Sequence, residues 1–373
     1  MKKIFNKSLC IFLALIIALT STSSLFFEAY ATNRQSQIIE KRVETILKSM
    51  TLKEKVAQMI IVHIPNDAAK TQKEFQYGGF VLFAPQFEKS TKAQLKNRIN
   101  AYQSVSKVKM FIAVDEEGGS VVRASKYKQF RSKPFQSPRK VYASGGLKGL
   151  INDARNKSDF LKSLGINTNF APVADVPYSK NNFIYSRSFS TNAGSTAKFV
   201  QYTVKQMNAK KCVSSLKHFP GYGNNGDTHT NIIVDKRSKK TFTSRDLKPF
   251  QAGINAGAPM IMVSHNIVTC FDKKNPASMS KNVHAYLRKN MGYNGIIITD
   301  SLGMTGVRKK YGDDAKVAVQ AVLAGNDMLC TPYGKTAIKA IALAVQSGKI
   351  SKAQIDNSVR RILRVKLAND ITH

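Results

Sequence analysis

The sequence predicts an α/β fold of the (β/α)8 TIM-barrel type, built as a single domain. Eight short apolar runs with strand character recur along the chain, and segments with helical spacing lie between most of them. Alternating strands and helices predict a parallel sheet, and eight such units are the number that closes into a barrel. An open doubly wound sheet is the alternative. No Gly-x-Gly-x-x-Gly follows a first strand, which disfavours that alternative.

The strands and helices can be assigned in order along the chain. The predicted strands cover residues 60–64, 79–83, 110–114, 168–172, 212–216, 260–264, 295–299 and 327–330. Thr51 and Glu54 form a capping box that opens a short helix before the first strand. Helical spacing between strands is carried by Leu95, Ile99 and Tyr102, and later by Phe199, Thr203 and Met207. A last helix begins near Ser351, a good N-cap, and runs to about Leu367. Its predicted buried stripe consists of Ile355, Val359, Ile362 and Leu363.

The N-terminal segment has the pattern of a secretory signal peptide. Three lysines precede an apolar run over residues 9–19, and Ala29-Tyr30-Ala31 fits a small-x-small cleavage site. We therefore interpret residues 1–31 as a cleaved signal peptide and residues 32–373 as the barrel domain with a helical lead-in. An uncleaved anchor is the alternative, but the run is short for a membrane span. We expect a secreted, extracytoplasmic protein whose mature form does not span the membrane.

The net charge of +35 predicts a polyanionic partner. The lysines are spread along the whole chain, no nucleic-acid module is recognisable, and export argues against nucleic acid. An anionic cell wall, such as one that carries teichoic acids, is the better candidate for electrostatic association. The alternative is ordinary solvated lysine in a lysine-rich proteome. We expect a monomer.

Metal, cofactor and disulfide patterns are not recognisable in the sequence. Cys212, Cys270 and Cys330 are odd in number and widely spaced, so they read most simply as small core residues. The histidines are too scattered for a ligand pair, and His63, His284 and His373 are interpreted as structural or surface residues. We therefore expect neither a metal nor another cofactor.

Ionisable residues follow several of the predicted strands. All carboxyl ends of the strands meet at one face of a barrel, and that face carries the active site in such folds. The set is predicted to converge on one cavity. Its members are Asp115, Asp175, Lys217, His218, His265 and Asp300.

The segment from Lys217 to His229 is the most informative in the chain. Its glycines permit backbone angles that side chains forbid and allow close approach to a ligand. Asp227 stands two residues before His229, so it can orient and polarise the imidazole. The pair is a candidate general acid/base unit.

The residue pattern alone allows more than one role for Asp300 and for the acidic cluster at residues 115–117. Asp300 directly after a strand is either a helix N-cap or a catalytic carboxylate. Asp115-Glu116-Glu117 with Arg123 suits recognition of sugar hydroxyls. The alternatives are a metal-binding cluster or an exposed loop, and adjacent carboxylates alone make a poor metal site. The absence of tryptophan, which often stacks on sugar rings, is a mild objection to a glycan enzyme.

The motifs together resemble family 3 glycoside hydrolases of the β-N-acetylglucosaminidase (NagZ-like β-hexosaminidase) type. The resemblance covers about residues 40–367, and the Lys-His-Phe-Pro-Gly and Asp-x-His combination is typical of that branch. The matching segments are Met50-Thr51-Leu52-x-Glu54-Lys55, Asp115-x-Glu117-Gly118-Gly119-x-Val121-x-Arg123, Asn169-Phe170-Ala171-Pro172-Val173-x-Asp175-Val176, Arg187-Ser188-Phe189, Lys217 to His229, Ile298-Thr299-Asp300-Ser301-Leu302-x-Met304 and Ala324-Gly325-x-Asp327-Met328.

The resemblance implies an exo-acting retaining enzyme that removes terminal N-acetylglucosamine. By motif, Asp300 is the nucleophile, and Asp227 and His229 form the acid/base pair. The residues implied to bind the terminal sugar are Asp115, Arg123, Arg187, Lys217 and His218. Peptidoglycan fragments (muropeptides) are the first substrate choice and chitooligosaccharides the second.

Two departures and two alternatives remain beside this resemblance. Tyr222 stands where the family commonly has histidine, and Glu116 stands where it commonly has glutamine. From both we expect altered loop packing rather than lost activity. A β-glucosidase-type enzyme is disfavoured by the Asp-x-His loop. A non-catalytic wall-binding protein is disfavoured because Asp227, His229 and Asp300 occur together.

Overall fold

The computed structural model describes residues 34–227 and 231–372. It divides into a unit over Met1–Ser49, described from residue 34 as helix α1 (residues 34–49), and a unit over Met50–His373. The described residues form ten strands: β1 (Ile60–His63), β2 (Gly79–Leu82), β3 (Phe111–Val114), β4 (Thr168–Asn169), β5 (Val213–Phe219), β6 (Val234–Asp235), β7 (Met260–Val263), β8 (Ile267–Val268), β9 (Ile296–Thr299) and β10 (Leu329–Thr331).

Eight of these strands form one parallel sheet that closes on itself. The order is β10-β1-β2-β3-β4-β5-β7-β9, and every adjacent pair is parallel. A parallel bridge between Ile298 and Met328 joins the two outer strands. The predicted (β/α)8 barrel is therefore confirmed. The four residues of β2, β3, β7 and β9 are all buried, as expected for parallel strands covered on both faces.

Helices fill the connections between the strands. They are α2 (Leu52–Gln58), α3 (Ala68–Phe75), α4 (Ala84–Glu88), α5 (Lys92–Ser104), α6 (Pro138–Ser163), α7 (Ala193–Ala209), α8 (Lys239–Thr241), α9 (Leu247–Asn255), α10 (Lys281–Ala285), α11 (Thr305–Tyr311), α12 (Asp314–Ala324), α13 (Gly334–Gln346) and α14 (Lys352–Ala368). The predicted capping box is present, because Glu54 N donates to Thr51 Oγ1 at 3.3 Å and Thr51 N donates to Glu54 Oε2 at 2.8 Å. Ser351 caps α14 as predicted, and the whole predicted stripe of that helix is buried.

Two strand boundaries differ from the prediction in ways that matter for the site. β4 has only two residues, because the N–H of Ala171 donates to Asn169 O at 2.7 Å within the same segment instead of to a neighbouring strand. β5 runs on to Phe219, so Lys217 and His218 lie inside a fully buried strand. An isolated parallel bridge between Val173 and Lys217 continues the pairing of the β4 segment with β5.

The segment interpreted as a signal peptide lies outside the described residues. Within residues 34–227 and 231–372, no helix has the length and apolar character needed to cross a membrane. Cys212 and Cys330 are buried, Cys270 is half-buried, and all three thiols are free.

Candidate active site

A cavity of about 520 Å³ opens at the carboxyl ends of the strands. Six of the eight predicted site residues line it: Asp115, Arg123, Arg187, Lys217, His218 and Asp300. Asp227 is exposed and is not among the lining residues. His229 lies outside the described residues.

Glu117 is the centre of the charge network in the cavity floor. Its carboxylate accepts from Arg187 Nε at 2.9 Å and from Arg187 Nη2 at 2.7 Å, a two-pronged pair that suits guanidinium geometry. Lys217 Nζ lies 2.6 Å from Glu117 Oε1 and 2.7 Å from Asp115 Oδ1. The sequence pattern places Glu117 in an acidic group that suits recognition of sugar hydroxyls, but it assigns Glu117 no separate role. Its place between two cations was missed because Arg187 and Lys217 follow much later in the chain.

Mutual attraction keeps these groups charged although they are buried. Burial alone would raise the pKa of Glu117, but the charges of Lys217 and Arg187 outweigh it and lower that pKa to about 2. Burial would lower the pKa of Lys217, and the carboxylates of Asp115 and Glu117 raise it instead. The floor therefore presents fixed charges at neutral pH.

The hydrogen bonds of His218 define its tautomer. Its Nδ1 lies 2.7 Å from Asp175 Oδ2, and its Nε2 lies 3.2 Å from Arg187 Nη2. A guanidinium can only donate, so Nε2 accepts and Nδ1–H donates to the carboxylate. The ring of His218 therefore holds Arg187, while Asp175 holds the ring. Arg187 Nη1 has no protein partner within the described residues, which leaves its donors for the cavity.

Asp300 directly follows β9 and places a partly exposed carboxylate on the cavity wall. Its N–H donates to Val263 O at 3.0 Å, and its Oδ1 accepts from Ser301 N at 2.7 Å. Helix α11 begins only at Thr305, with Met304 at the N-cap, so the helix-cap alternative for Asp300 is wrong. Burial would raise the pKa of Asp300. The interactions with His218, His265, the Ser301 N–H and Lys217 lower it overall, so the carboxyl is ionised at neutral pH.

The predicted convergence of six strand-end residues is confirmed for four of them. Asp175 and His265 are buried and are not among the lining residues. Asp175 accepts from His218, whereas His265 Nε2–H donates to Ser301 O at 3.1 Å and its Nδ1 accepts from Ser278 Oγ at 2.7 Å. They orient the residues that line the cavity.

His63, interpreted from the sequence as a structural or surface residue, lines the cavity. It ends β1, and its ring centroid lies 4.7 Å from that of Phe83, with the two rings tilted at 59°. Burial lowers the pKa of His63, and the charge of Asp115 raises it in part. Because His63 stands near the end of a predicted strand, the strand-end rule would have assigned it to the cavity. The structural interpretation of His284 holds, since it is buried and donates from Nδ1 to Ser280 O at 2.8 Å; His373 lies outside the described residues.

The two positions that depart from the family pattern are structural. Glu116 is buried, and its Oε2 accepts from Arg123 N at 3.0 Å and Ala124 N at 2.8 Å, which fixes the turn that presents Arg123. Tyr222 is buried against Val173 and Ile184. Its ring edge meets His218 at a centroid distance of 5.0 Å.

Arg123 is the cation of the cavity wall that has no carboxylate partner in the described part of the chain. Within those same residues, no group of three or more His, Cys, Asp or Glu side chains is arranged to hold a metal ion. The cavity thus offers acceptors and donors in fixed directions, an arrangement that suits a ligand rich in hydroxyl and amide groups.

Comparison with known proteins gives consistent matches. Residues 51–365 match the family model described as the glycosyl hydrolase family 3 N-terminal domain. Beta-hexosaminidase A of Pseudoalteromonas piscicida is 30% identical over 336 residues, which cover 81% of this chain and 55% of that protein. Beta-hexosaminidase of Xylella fastidiosa strain M12 is 32% identical over 235 residues, 62% of this chain and 69% of the relative.

A solved structure is similar over most of the chain. The glycoside hydrolase family 3 beta-N-acetylglucosaminidase from Paenibacillus sp. str. FPU-7 superposes with a TM-score of 0.80 at 30% identity, over 87% of this chain and 63% of that chain. The present chain therefore spans about half the length of the first of these relatives and less than two thirds of this structure.

Proposed function

This chain belongs to glycosyl hydrolase family 3, and from that membership we propose that it is an exo-acting retaining β-N-acetylglucosaminidase. The observation that carries the proposal is the ionised Asp300 on the wall of a cavity whose floor holds Glu117, Lys217 and Arg187 as fixed charges. An ionised carboxylate beside such a floor suits attack on a sugar held by hydrogen bonds. The substrate is a glycan with a terminal N-acetylglucosamine.

Binding is assigned to Asp115, Arg123, Arg187 and Lys217, with His218 acting mainly through Arg187. Lys217 uses two of its three N–H donors on carboxylates, so one is available to a hydroxyl. Within the described residues, Arg187 Nη1 and the Arg123 guanidinium have no protein partner, so both supply further donors. Lys217 and Arg187 are held in place by their carboxylate partners, so these two side chains lose little freedom when a sugar binds.

The reaction is a double displacement. The Asp300 carboxylate attacks the anomeric carbon and forms a glycosyl-enzyme ester, while His229, oriented by Asp227, protonates the departing oxygen. His229 then removes a proton from the incoming water, whose oxygen displaces Asp300. An imidazole as acid/base avoids a second anion beside the nucleophile.

The test uses a nitrophenyl N-acetyl-β-glucosaminide and a muropeptide of defined structure. We expect the wild type to cleave both, and Asp300→Ala to lose at least about a thousandfold in kcat on both. Added azide is expected to yield the α-glycosyl azide with Asp300→Ala. Full activity in that variant would refute the nucleophile assignment, and inactive wild type would favour a binding protein.

Peptidoglycan fragments are proposed as the natural substrate, ahead of chitooligosaccharides. The support is the export expected from the N-terminal segment and the affinity of a chain with net charge +35 for an anionic envelope. A higher kcat/KM for a GlcNAc–MurNAc fragment than for chitobiose is the expected result. The reverse order would replace the first substrate with the second.

Secretion is proposed from the N-terminal segment, and association with the anionic cell wall is proposed from the net charge of +35. The protein is expected to sediment with purified walls at low salt and to be released as salt is raised, since salt screens such contacts. Walls stripped of teichoic acid are expected to bind less. Equal sedimentation with stripped and intact walls would show that another wall component is responsible.

A further inference from the structure

The segment that joins β5 to β6 carries Asp227, and its two ends are tied together by Arg237. The Arg237 side chain is largely buried. Its Nη2 donates to Gly221 O at 2.9 Å, where the segment begins, and to Asp235 Oδ2 at 2.7 Å, where it ends. Its Nη1 donates to Asp246 Oδ1 at 2.8 Å, on the turn before α9. One guanidinium thus bridges three separate stretches of backbone.

The glycines of the Gly-Tyr-Gly turn make room for this guanidinium. Gly223 has a φ of +57°, and a Cβ built there would lie 2.0 Å from Arg237 Nη1. Gly221 has a φ of +120°, and a Cβ there would meet Asp246 Cβ at 3.1 Å. The turn therefore needs glycine both for its backbone angles and for the close approach of the arginine network.

Further hydrogen bonds hold each arm of the segment. Tyr222 N donates to Asp175 Oδ1 at 2.7 Å, so the carboxylate that orients His218 also anchors the first arm. Asn225 Nδ2 donates to Tyr222 O at 2.9 Å and to Asp235 Oδ2 at 2.6 Å, which joins the two arms directly.

The returning arm is held by β8, because β6 pairs with it in parallel. Ile267 N donates to Ile233 O at 2.9 Å. The part of the segment between these anchors is residues 226–232, which include Asp227 and His229.

We propose that Arg237 is a positioning residue for the acid/base step, because it ties together the two ends of the segment that carries Asp227 and His229. This proposal rests on the proposed function. A lysine cannot replace Arg237, since an ammonium is a compact donor and cannot reach Gly221, Asp235 and Asp246 at once. The sugar-binding residues Lys217 and Arg187 make no contact with Arg237 within the described residues, so binding and proton transfer are separable.

The test compares two N-acetyl-β-glucosaminides that differ in their need for an acid. A dinitrophenolate departs without protonation, whereas a phenolate needs it. We expect Arg237→Lys to lower kcat for the phenyl glycoside at least about tenfold more than for the dinitrophenyl glycoside, with KM within about twofold. Asp246→Asn, which weakens one arm of the bridge, is expected to move the ratio in the same direction but less.

Arg361→Lys is the matched control, because Arg361 also holds a buried aspartate, at the other end of the barrel. It is expected to leave the ratio of the two substrates unchanged. An equal fall on both substrates in Arg237→Lys would overturn the proposal.

Hydrogen exchange separates this proposal from the proposed function. Amides of residues 221–235 are expected to exchange faster in Arg237→Lys than in the wild type. If the wild type cleaves neither glycoside, the proposed function fails. The hydrogen-exchange data would then still test the anchoring role of Arg237, and unchanged exchange in Arg237→Lys would overturn that role.

Discussion

The two ends of the barrel both bury charged side chains, but those charges face different surroundings. At the carboxyl ends of the strands, Glu117, Lys217 and Arg187 balance one another and line an open cavity. At the amino ends, Asp327 is held by Arg288, Arg361, Ser358 and the N–H of Ile297.

The contrast separates charges that can act on a ligand from charges that join secondary structure. The Asp327 network ties the C-terminal helix α14 to β9, through Ser358 and Arg361 on one side and Ile297 on the other. The Ala-Gly-x-Asp-Met motif around Asp327 is therefore explained by packing. A charged residue in a motif does not by itself indicate a catalytic role, because the end of the barrel at which it lies has to be known.

The largest expected effect is at the cavity floor. Glu117→Gln leaves Lys217 and Arg187 with less negative charge between them, and we expect kcat/KM to fall at least about a hundredfold, with about 3 kcal/mol lost in unfolding free energy. Steady-state kinetics and urea unfolding measure both. Glu116→Gln is the matched control, because Glu116 is adjacent to Glu117 in the chain and its carboxylate holds only a turn. This variant should keep kcat/KM within about threefold of the wild-type value. Wild-type activity in Glu117→Gln would contradict the assigned floor.

The same carboxylate gives a pH signature. The pKa of Glu117 is lowered to about 2, below its value in the unfolded chain, so its contribution is complete above about pH 4.3 and is lost as the pH falls toward 2. The stability difference between wild type and Glu117→Gln is expected to shrink over that window.

A smaller effect, on stability alone, is expected at the opposite end. Asp327→Asn leaves two arginines near one another without their carboxylate, and we expect a loss of about 3 kcal/mol in unfolding free energy. KM for the nitrophenyl glycoside should stay at the wild-type value. A large rise in KM with unchanged stability would remove the distinction between the two ends.

The smallest effect at neutral pH is expected from Lys366, which is fully buried at the amino ends. Its Nζ donates to Gln58 Oε1 at 2.7 Å and lies 5.0 Å from the centre of the Phe111 ring. Burial lowers its pKa to about 7. Between pH 7 and pH 10 the unfolded chain binds one proton more than the folded chain, so stability rises with pH by up to about 4 kcal/mol.

Unfolding of wild type and Lys366→Met across that range measures this rise. The difference in unfolding free energy between wild type and Lys366→Met should change above pH 7 and stay constant below pH 7. Lys352→Met changes an exposed lysine of the same helix and is expected to lack the slope. A constant difference at all pH values would show that Lys366 is not buried as a titrating group.

Much of the fold follows from local sequence patterns. Eight strands were assigned from apolar runs, and Thr51 and Ser351 were identified as helix caps from residue type alone. The strand-end rule predicts Asp115, Lys217 and Asp300 as cavity residues from the sequence, because all strands of a parallel barrel end at one face. The domain boundary at residue 32 and the roles of Asp227 and His229 stay predictions.

Partners that are distant in sequence could not be assigned in this way. Lys217 pairs with Asp115 across 102 positions, and His218 acquires its tautomer from Asp175 and Arg187 on other segments. The choice between a helix cap and a free carboxylate at Asp300 also depended on where α11 begins. Periodicity and residue type record the local backbone and the buried face of each element, so the sequence alone determined the barrel and the end at which its polar residues converge. Which charges neutralise each other depends on side chains that meet only after the strands close, so the tertiary structure alone decided the electrostatics of the site.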